Sequence, residues 1–318
     1  MRALRDFLVI SRARIQIASL PTALIGCALA AGSRGELRDA GVLLYVLLFF
    51  VVLTFACNLN CLTDAEVDAL HKREMSEAVR ALGEKRIMAI LGVEAVLAVV
   101  LAVLLAVHEK KAVFLAGAAT LAIAYAYSAP PLRVKKRGWL SPVPVVLGLY
   151  ALPPLGGWYL IRGSLNGTVL VFAIAYAMLM EGLTIVNTCE DQPEDEATGV
   201  RTLAHALGIR RALVAGAWLA GVGGAVAAGV VLTAAKNLAG GASAVAPGGH
   251  AAPGTVIFVA VATLAVAYGA GVVLAVGALR GLARADDPAA GCKLRARHMP
   301  AWFLLTRYPL LLMALLLK

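Results

Sequence analysis

The sequence has few cysteines, and their number and spacing favour neither a disulfide framework nor a structural zinc site. There are only five, an odd number, and their spacing matches no zinc-binding pattern. All of them fall within predicted membrane spans or within segments predicted to face the cytoplasm, where disulfides are rare. We therefore expect them to be packing residues: Cys27, Cys57, Cys61, Cys189 and Cys292.

Polar residues are also scarce, since 61% of the 318 residues are hydrophobic and the mean hydropathy is +0.83. Continuous apolar runs of about 20 residues recur, each long enough to cross a membrane as a helix. Because the runs do not alternate with polar residues, a transmembrane barrel is excluded. We predict an all-α polytopic membrane protein of one domain, residues 1–318, with nine helices bundled around a central cavity and capped by cytoplasmic loops. The predicted spans are roughly 15–32, 40–62, 87–107, 112–128, 141–161, 168–187, 212–235, 255–279 and 299–317.

Acidic residues are fewer than basic ones, 19 against 29, which gives a net charge of +10. This balance does not indicate a nucleic-acid partner, because the basic residues are concentrated on one side of the predicted membrane. Such a bias places that side, and the N-terminus, in the cytoplasm of a protein embedded in the lipids of the cell membrane. The basic segments are 1–14, 63–86, 129–140, 188–211 and 280–298.

Two acidic motifs follow predicted spans two and six. They are "NCLTDAEVD" and "NTCEDQPED", and both have the pattern N-x-x-x-D-x-x-x-D. Similar tails, "ALGEKR" at 81–86 and "ALGIRR" at 206–211, follow them. The match suggests an internal repeat, approximately 1–140 and 141–318, and repeats in membrane proteins often form a site at their interface. The motif residues are Asn60, Asp64 and Asp68, then Asn187, Asp191 and Asp195.

The spacing of these motifs predicts a metal site. Residues four apart lie on one face of a helix, so the first motif stacks its side chains turn over turn. Pro193 should interrupt the second helix, so that Asp195 is reached through a distorted turn. Crowded carboxylates repel one another, and Mg²⁺ relieves that repulsion while keeping positions for phosphate oxygens. A single cluster would more simply be a solvated acidic loop; two matched clusters favour Mg²⁺.

A basic loop, "YSAPPLRVKKRG" from Tyr127 to Gly138, lies on the same predicted side. Alone it could contact anionic lipid headgroups. Beside a magnesium site its Arg and Lys side chains could instead hold phosphates, as could Arg12. Two carboxylates, Glu94 and Glu181, lie inside predicted spans, and Glu181 could be either an acceptor-side base or a hydrogen-bonded structural residue.

These pieces together resemble the UbiA superfamily of intramembrane prenyltransferases. "NCLTDAEVD" is similar to its first aspartate motif, and "DQPEDEATGVRTL" is similar to its second, including the trailing Gly199, Thr202 and Leu203. "YSAPPLRVKKRG" matches its Y-S-x-P-P-x-R-x-K loop, and "SRARIQIASLPTALIGCALA" resembles its first helix. The family usually has an aspartate where this chain has Cys61, and many members have an R-P-x-P-S-G-like turn where this chain has "HKREMSEAVRALG".

The resemblance implies transfer of an isoprenyl group from a diphosphate donor to an aromatic or other hydrophobic acceptor, with release of diphosphate. Two Mg²⁺ ions would bridge the donor diphosphate and be held by Asn60, Asp64, Asn187, Asp191 and Asp195. The donor diphosphate would also be bound by Arg12, Ser128 and Lys135. Catalytic roles would fall to Asp68, Tyr127 and Arg133.

Two other functions stay open at this point. A terpene cyclase of the same superfamily would ionise the donor without needing an acceptor. A cation channel or transporter could place acidic rings at its inner mouth, although the neighbouring basic loop suits a phosphate better than a cation path. The sequence does not determine the acceptor, the donor length or the oligomeric state.

Overall fold

The protein is built from helices. The computed structural model describes residues 2–107, 111–197, 199–242 and 252–318, and the regular elements within these ranges are helical. They are α1 Arg2–Ile10, α2 Ala13–Ala30, α3 Ala40–His71, α4 Arg73–Leu82, α5 Glu84–Val107, α6 Lys111–Ser128, α7 Val143–Val145, α8 Leu152–Arg162, α9 Gly167–Glu190, α10 Gln192–Ala197, α11 Leu203–Leu207, α12 Ile209–Ala242, α13 Ala252–Arg284, α14 Pro288–Ala296 and α15 Met299–Leu316.

Eight helical segments in the described ranges are long and apolar enough to cross a membrane. They correspond to eight of the predicted spans, while the remaining one, 112–128, corresponds to the shorter apolar helix Val113–Ser128 within α6. Large apolar side chains such as Val93 and Val266, respectively 67% and 72% exposed, point outward from the bundle, as expected for a lipid-facing surface. The prediction of an all-α polytopic membrane protein is therefore confirmed.

Helix α3 is longer than the predicted span. Its N-terminus is capped by Asp39, whose carboxylate accepts a hydrogen bond from the Gly41 amide at 2.7 Å. The helix continues nine residues past the predicted end at 62 and finishes at His71. The whole first acidic motif therefore lies on uninterrupted helix, which fixes the relative directions of its side chains.

Helix α9 ends within the second motif, as Pro193 predicted. It finishes at Glu190, and the amide of Asp191 closes its last turn by donating to the Asn187 carbonyl at 3.2 Å. The short helix α10 begins at Gln192 and has Pro193 in its first turn, where a missing N–H costs little. The two motifs are therefore built differently, one on a straight helix and one across a helix break.

The fifth membrane segment is interrupted by prolines. Between α7 and α8 the backbone forms a π-helix over Val146–Ala151, and Pro153 and Pro154 follow directly. Such π-turns occur where regular hydrogen bonding is disturbed and are frequent near functional sites. Helix α2 packs closely on this segment, because a Cβ atom at Gly26 would lie 2.0 Å from the Pro154 carbonyl oxygen.

The largest buried cluster joins α2, α9, α12, α13 and α15. Helices α9 and α12 approach closely at glycines: a Cβ at Gly182 would lie 2.5 Å from the Ala220 amide nitrogen, and one at Gly223 would lie 2.5 Å from the Ala175 carbonyl. This is the small-residue packing that membrane helices use. It leaves the opposite face of α9 directed away from α12, and α9 also contacts the π-helix.

Candidate functional site

The ends of α3, α6 and α9 come together at one end of the bundle. Asp64 on α3 is held by two cations from the basic loop, Lys135 Nζ at 2.5 Å from Oδ2 and Arg133 Nη2 at 3.1 Å from Oδ1. Lys135 Nζ also donates to Asn60 Oδ1 at 3.2 Å, and Ser128 Oγ donates to the same atom at 3.4 Å. Five of the predicted site residues are thus in direct contact.

Lys72 connects the two acidic motifs, and the sequence interpretation did not include it. Its Nζ lies 2.7 Å from Asp191 Oδ2 and 3.8 Å from Glu190 Oε1. Burial alone would lower the pKa of Lys72, but the Asp191 carboxylate outweighs it and raises the pKa above the ordinary 10.5. A signal was present in the sequence, because Lys72 follows Asp68 by the same four-residue step that separates the other members of the first motif.

The basic loop is joined to the tail of the second motif. The Gly138 amide donates to the Arg201 carbonyl at 2.7 Å, and the Leu203 amide donates to Ser141 Oγ at 3.3 Å. Gly199 has a φ of +69°, a conformation that favours glycine. Thr202 caps α11, which begins at Leu203. The tail residues Gly199, Thr202 and Leu203 therefore have a structural role in holding the two loops together over the bundle end.

Two of the predicted site residues, Arg12 for the diphosphate and Arg133 for catalysis, have strained backbones. Within the described ranges, the residues other than glycine that have positive φ are Arg12, at 51°, and Arg133, at 38°. Such conformations cost about 1 kcal/mol or more and tend to cluster at functional sites. Arg12 forms the sharp junction between α1 and α2, while Arg133 precedes the turn that contains Lys135.

Several buried polar atoms at this end have no hydrogen-bond partner among the described residues. They are Oδ2 of Asp68, Nε of Arg12 and Nε of Arg133. Asp68 is only 6% exposed and lies within electrostatic range of Arg12 and Lys72. A carboxylate oxygen of this kind suits a cation, and the two guanidinium groups suit an anion. This end of the bundle therefore has unpartnered polar atoms on groups of both signs.

The donor chemistry fits a hard divalent cation, since it consists of carboxylate and amide oxygens. The spacing does not form a closed metal centre: in the part of the chain described by the structure, no group of three His, Cys, Asp or Glu side chains is at metal-binding spacing. Instead, Lys and Arg side chains neutralise Asp64 and Asp191. Burial lowers the pKa of Lys135 from 10.5 despite its contact with Asp64.

The remaining predicted residues lie around this centre. Tyr127 on α6 is within electrostatic range of Asp64 and Asp191. Asn187 accepts the closing hydrogen bond of α9 through its backbone carbonyl, and Asp195 accepts one from the Val200 amide at 2.8 Å through its own. The side chain of Glu194, also part of the acidic run, lies outside the described residues.

Comparisons with known proteins identify the family and the fold. Residues 19–276 match the model of the UbiA prenyltransferase family. The chain belongs to the UbiA prenyltransferase family. Solved structures of the same fold include a UbiA homologue from Archaeoglobus fulgidus bound to GPP and Mg²⁺, with a TM-score of 0.63 and 18% identity, covering 94% of this chain and 98% of that one. A digeranylgeranylglyceryl phosphate synthase has a TM-score of 0.59 and 15% identity, with 99% of both chains covered.

Two kinds of family member are similar in sequence. Chlorophyll synthase from Arabidopsis thaliana is 31% identical over 105 residues, which is 33% of this chain and 27% of that protein. The match to the plant synthases thus spans little more than a quarter of their length. Lycopene elongase/hydratase from Halobacterium salinarum is 29% identical over 218 residues, 68% of this chain and 76% of that protein.

Proposed function

We propose that this protein transfers an isoprenyl group from an isoprenyl diphosphate to a lipid-like acceptor within the membrane and releases diphosphate. The observation that carries the proposal is the presence of unpartnered groups of both signs at one bundle end: the Asp68 oxygen, which is within electrostatic range of Arg12, and the Nε atoms of Arg12 and Arg133. A ligand that satisfies both signs is a diphosphate accompanied by a divalent cation. Family membership supports the same reaction class.

Each side chain has a defined part in this proposal. Arg12, Arg133 and Lys135 would bind the diphosphate, and Ser128 would hold the Asn60 amide oxygen toward the site. Oxygens of Asn60, Asp64, Asp68, Asn187, Asp191 and Asp195 would hold Mg²⁺, which we expect as two ions. Bound Mg²⁺ would supply Lewis-acid neutralisation of the charge that develops on the departing diphosphate.

The surrounding bundle protects the reactive donor carbon. Ionisation of an allylic diphosphate leaves a carbocation that water would destroy, so a dry chamber is required. The polar face of α9 leads from the site into the apolar bundle, where Tyr150 is only 2% exposed. The names of the relatives refer to chlorophyll and lycopene, which agrees with a lipid-like acceptor. We place the site and the N-terminus on the cytoplasmic side, because the flanking segments hold most of the basic residues.

Matched substitutions test this function. Purified full-length protein is incubated with Mg²⁺ and geranylgeranyl diphosphate, and released diphosphate is measured. Asp64→Ala and Asp191→Ala should reduce release at least about 100-fold, as expected for loss of a group that acts in the transition state. Glu66→Ala and Glu196→Ala remove the same charge from exposed positions on the same two motifs and should retain release.

The outcomes separate the competing functions. Normal release by both aspartate variants would show that the site lies elsewhere. Release by the wild type that yields only cyclised hydrocarbon, with every acceptor tried, would indicate a cyclase. If the wild type releases no diphosphate from any donor but conducts cations in vesicles, the protein is a channel or transporter.

A further inference from the structure

Helix α9 has a polar stripe that continues from the proposed diphosphate site into the membrane. Between Glu181 and the C-cap residue Asp191, six side chains are partly accessible, although their neighbours Gly182, Leu183, Ile185, Val186 and Cys189 are all buried. At 100° per residue, five of these six share the face opposite Gly182, the α9 glycine that contacts α12, while Glu190 lies outside that face. The stripe consists of Glu181, Thr184, Asn187, Thr188 and Asp191.

Glu181 is the deepest charged member of this stripe. It precedes Asn187 by six residues, which places it about 9 Å further along the helix axis. Tyr127, which is within electrostatic range of Asp64 and Asp191, is also within range of Glu181. Tyr150 on the π-helix is within range of Glu181 as well. Glu181 therefore lies within electrostatic range of two tyrosines, one of which is also within range of the aspartates of the site.

The carboxylate of Glu181 is poorly satisfied. Its contact from Thr184 Oγ1 to Oε2 is long, at 3.4 Å, and that hydroxyl is nearer to the Met180 carbonyl, at 3.0 Å. Among the described side chains, no Lys, Arg or His nitrogen lies within 4 Å of it to form a salt bridge. Glu94, the other intramembrane carboxylate, accepts a hydrogen bond from Asn58 Nδ2 at Oε1, at 2.7 Å, while its Oε2 has no partner among the described residues. A carboxylate inside a membrane is costly and usually serves a function.

We propose that Glu181 is the base that accepts the proton released when the acceptor attacks the donor, so that the acceptor is one whose attacking atom still carries hydrogen. This inference rests on the proposed function. The C1–O bond of the donor breaks, and both electrons leave with diphosphate. C1 then bonds to the attacking hydroxyl oxygen or carbon of the acceptor, and the hydrogen on that atom passes as a proton to a Glu181 carboxylate oxygen. An acceptor that attacks through an ionised carboxylate would not need this base.

The test separates proton removal from ionisation of the donor. Full-length protein in detergent receives Mg²⁺, radiolabelled geranylgeranyl diphosphate and a total lipid extract of the expression host. Label in prenylated lipid, label in geranylgeraniol formed by water, and released diphosphate are measured together. Glu181→Gln preserves size and polarity and should lower the ratio of prenylated lipid to diphosphate about 100-fold, the usual contribution of a general base. Diphosphate release itself should stay within about 3-fold of the wild type, since a 3-fold change in rate is less than 1 kcal/mol.

Glu94→Gln is the matched control and should keep the wild-type ratio, since it alters an intramembrane carboxylate off the stripe. Glu181→Asp should give an intermediate ratio, because the side chain keeps its carboxylate but is one methylene shorter. If the Glu181→Gln variant does not fold, the Glu181→Asp variant is used for the test instead. A wild-type ratio in the folded Gln or Asp variant would overturn the role of Glu181, as would an equal loss of diphosphate release and transfer. Absence of diphosphate release by the wild type would instead refute the proposed function.

Discussion

The ion cluster around Asp64 allows stability and activity to be separated by one pair of substitutions. Asp64→Ala removes the carboxylate that neutralises Lys135 and Arg133. Lys135→Met keeps most of the apolar stem of the lysine but removes its charge. Asp64→Ala leaves two cations without a carboxylate, and Lys135→Met leaves Asp64 with Arg133 alone, in a site where the Lys135 side chain is 10% exposed and the Asp64 side chain 20% exposed. The double variant leaves only Arg133, which keeps its hydrogen bond to the Thr63 carbonyl.

The expected size follows from this burial. Breaking a fully buried ion pair by removing one partner costs about 3–5 kcal/mol, whereas an exposed pair contributes about 0–1 kcal/mol. With exposed fractions of 10% and 20%, Asp64 and Lys135 lie between these limits, so each single variant should lose about 2 kcal/mol of unfolding free energy. The double variant should lose about 2 kcal/mol less than the sum of the singles, since the pair is coupled.

Unfolding in detergent, followed by circular dichroism at increasing denaturant, measures the stability of all four proteins. Diphosphate release from geranylgeranyl diphosphate is measured on the same samples. The double variant should be about as stable as either single variant but should stay inactive, because Asp64 is also proposed to bind the metal. Additive losses of stability would refute the structural pairing, and recovered activity in the double variant would refute the catalytic assignment of Asp64.

Four further substitutions, one of them a control, test the scaffold. Gly26→Ala should destabilise the bundle by about 2 kcal/mol or more, because its Cβ would overlap the Pro154 carbonyl. The control Gly92→Ala has open space around it and should be neutral or stabilising by up to about 1 kcal/mol. Thermal unfolding of both variants measures the difference. Arg307→Ala should cost about 3 kcal/mol, since a 1% exposed side chain that ties α15 to α2 and α9 is lost, and an unchanged melting temperature would contradict this. Gly199→Ala should lose about 1 kcal/mol and slow diphosphate release, because its φ is +69°, and wild-type rates would show that the tail does not position the site.

Much of the fold was predictable because membrane spans depend on long apolar runs, which a sequence displays directly. The break at Pro193 was also predictable, since a proline restricts the helix wherever it stands. The end of α3 was not, because its last turns contain charged residues and their helicity depends on contacts with other segments. The internal repeat stays a prediction.

The site was predictable in composition but not in its pairing. Motif spacing identified the oxygens and cations, yet the contact between Lys72 and Asp191 joins residues that are distant in the chain and on different helices. The backbone strain at Arg12 and Arg133 was equally hidden, because φ is set by the packing of neighbouring elements. The depth of Glu181 on a shared stripe became clear only when the accessible face of α9 was defined.

The most direct test of the central claim is a measurement on the wild-type protein alone. Purified full-length chain is mixed with geranylgeranyl diphosphate, and released diphosphate is followed first in excess EDTA and then after Mg²⁺ is added. We expect no release above the protein-free background in EDTA and steady release on addition of Mg²⁺. Equal rates in both conditions, or no release from donors of any chain length with Mg²⁺ present, would contradict a metal-dependent diphosphate site at the ends of α3, α6 and α9.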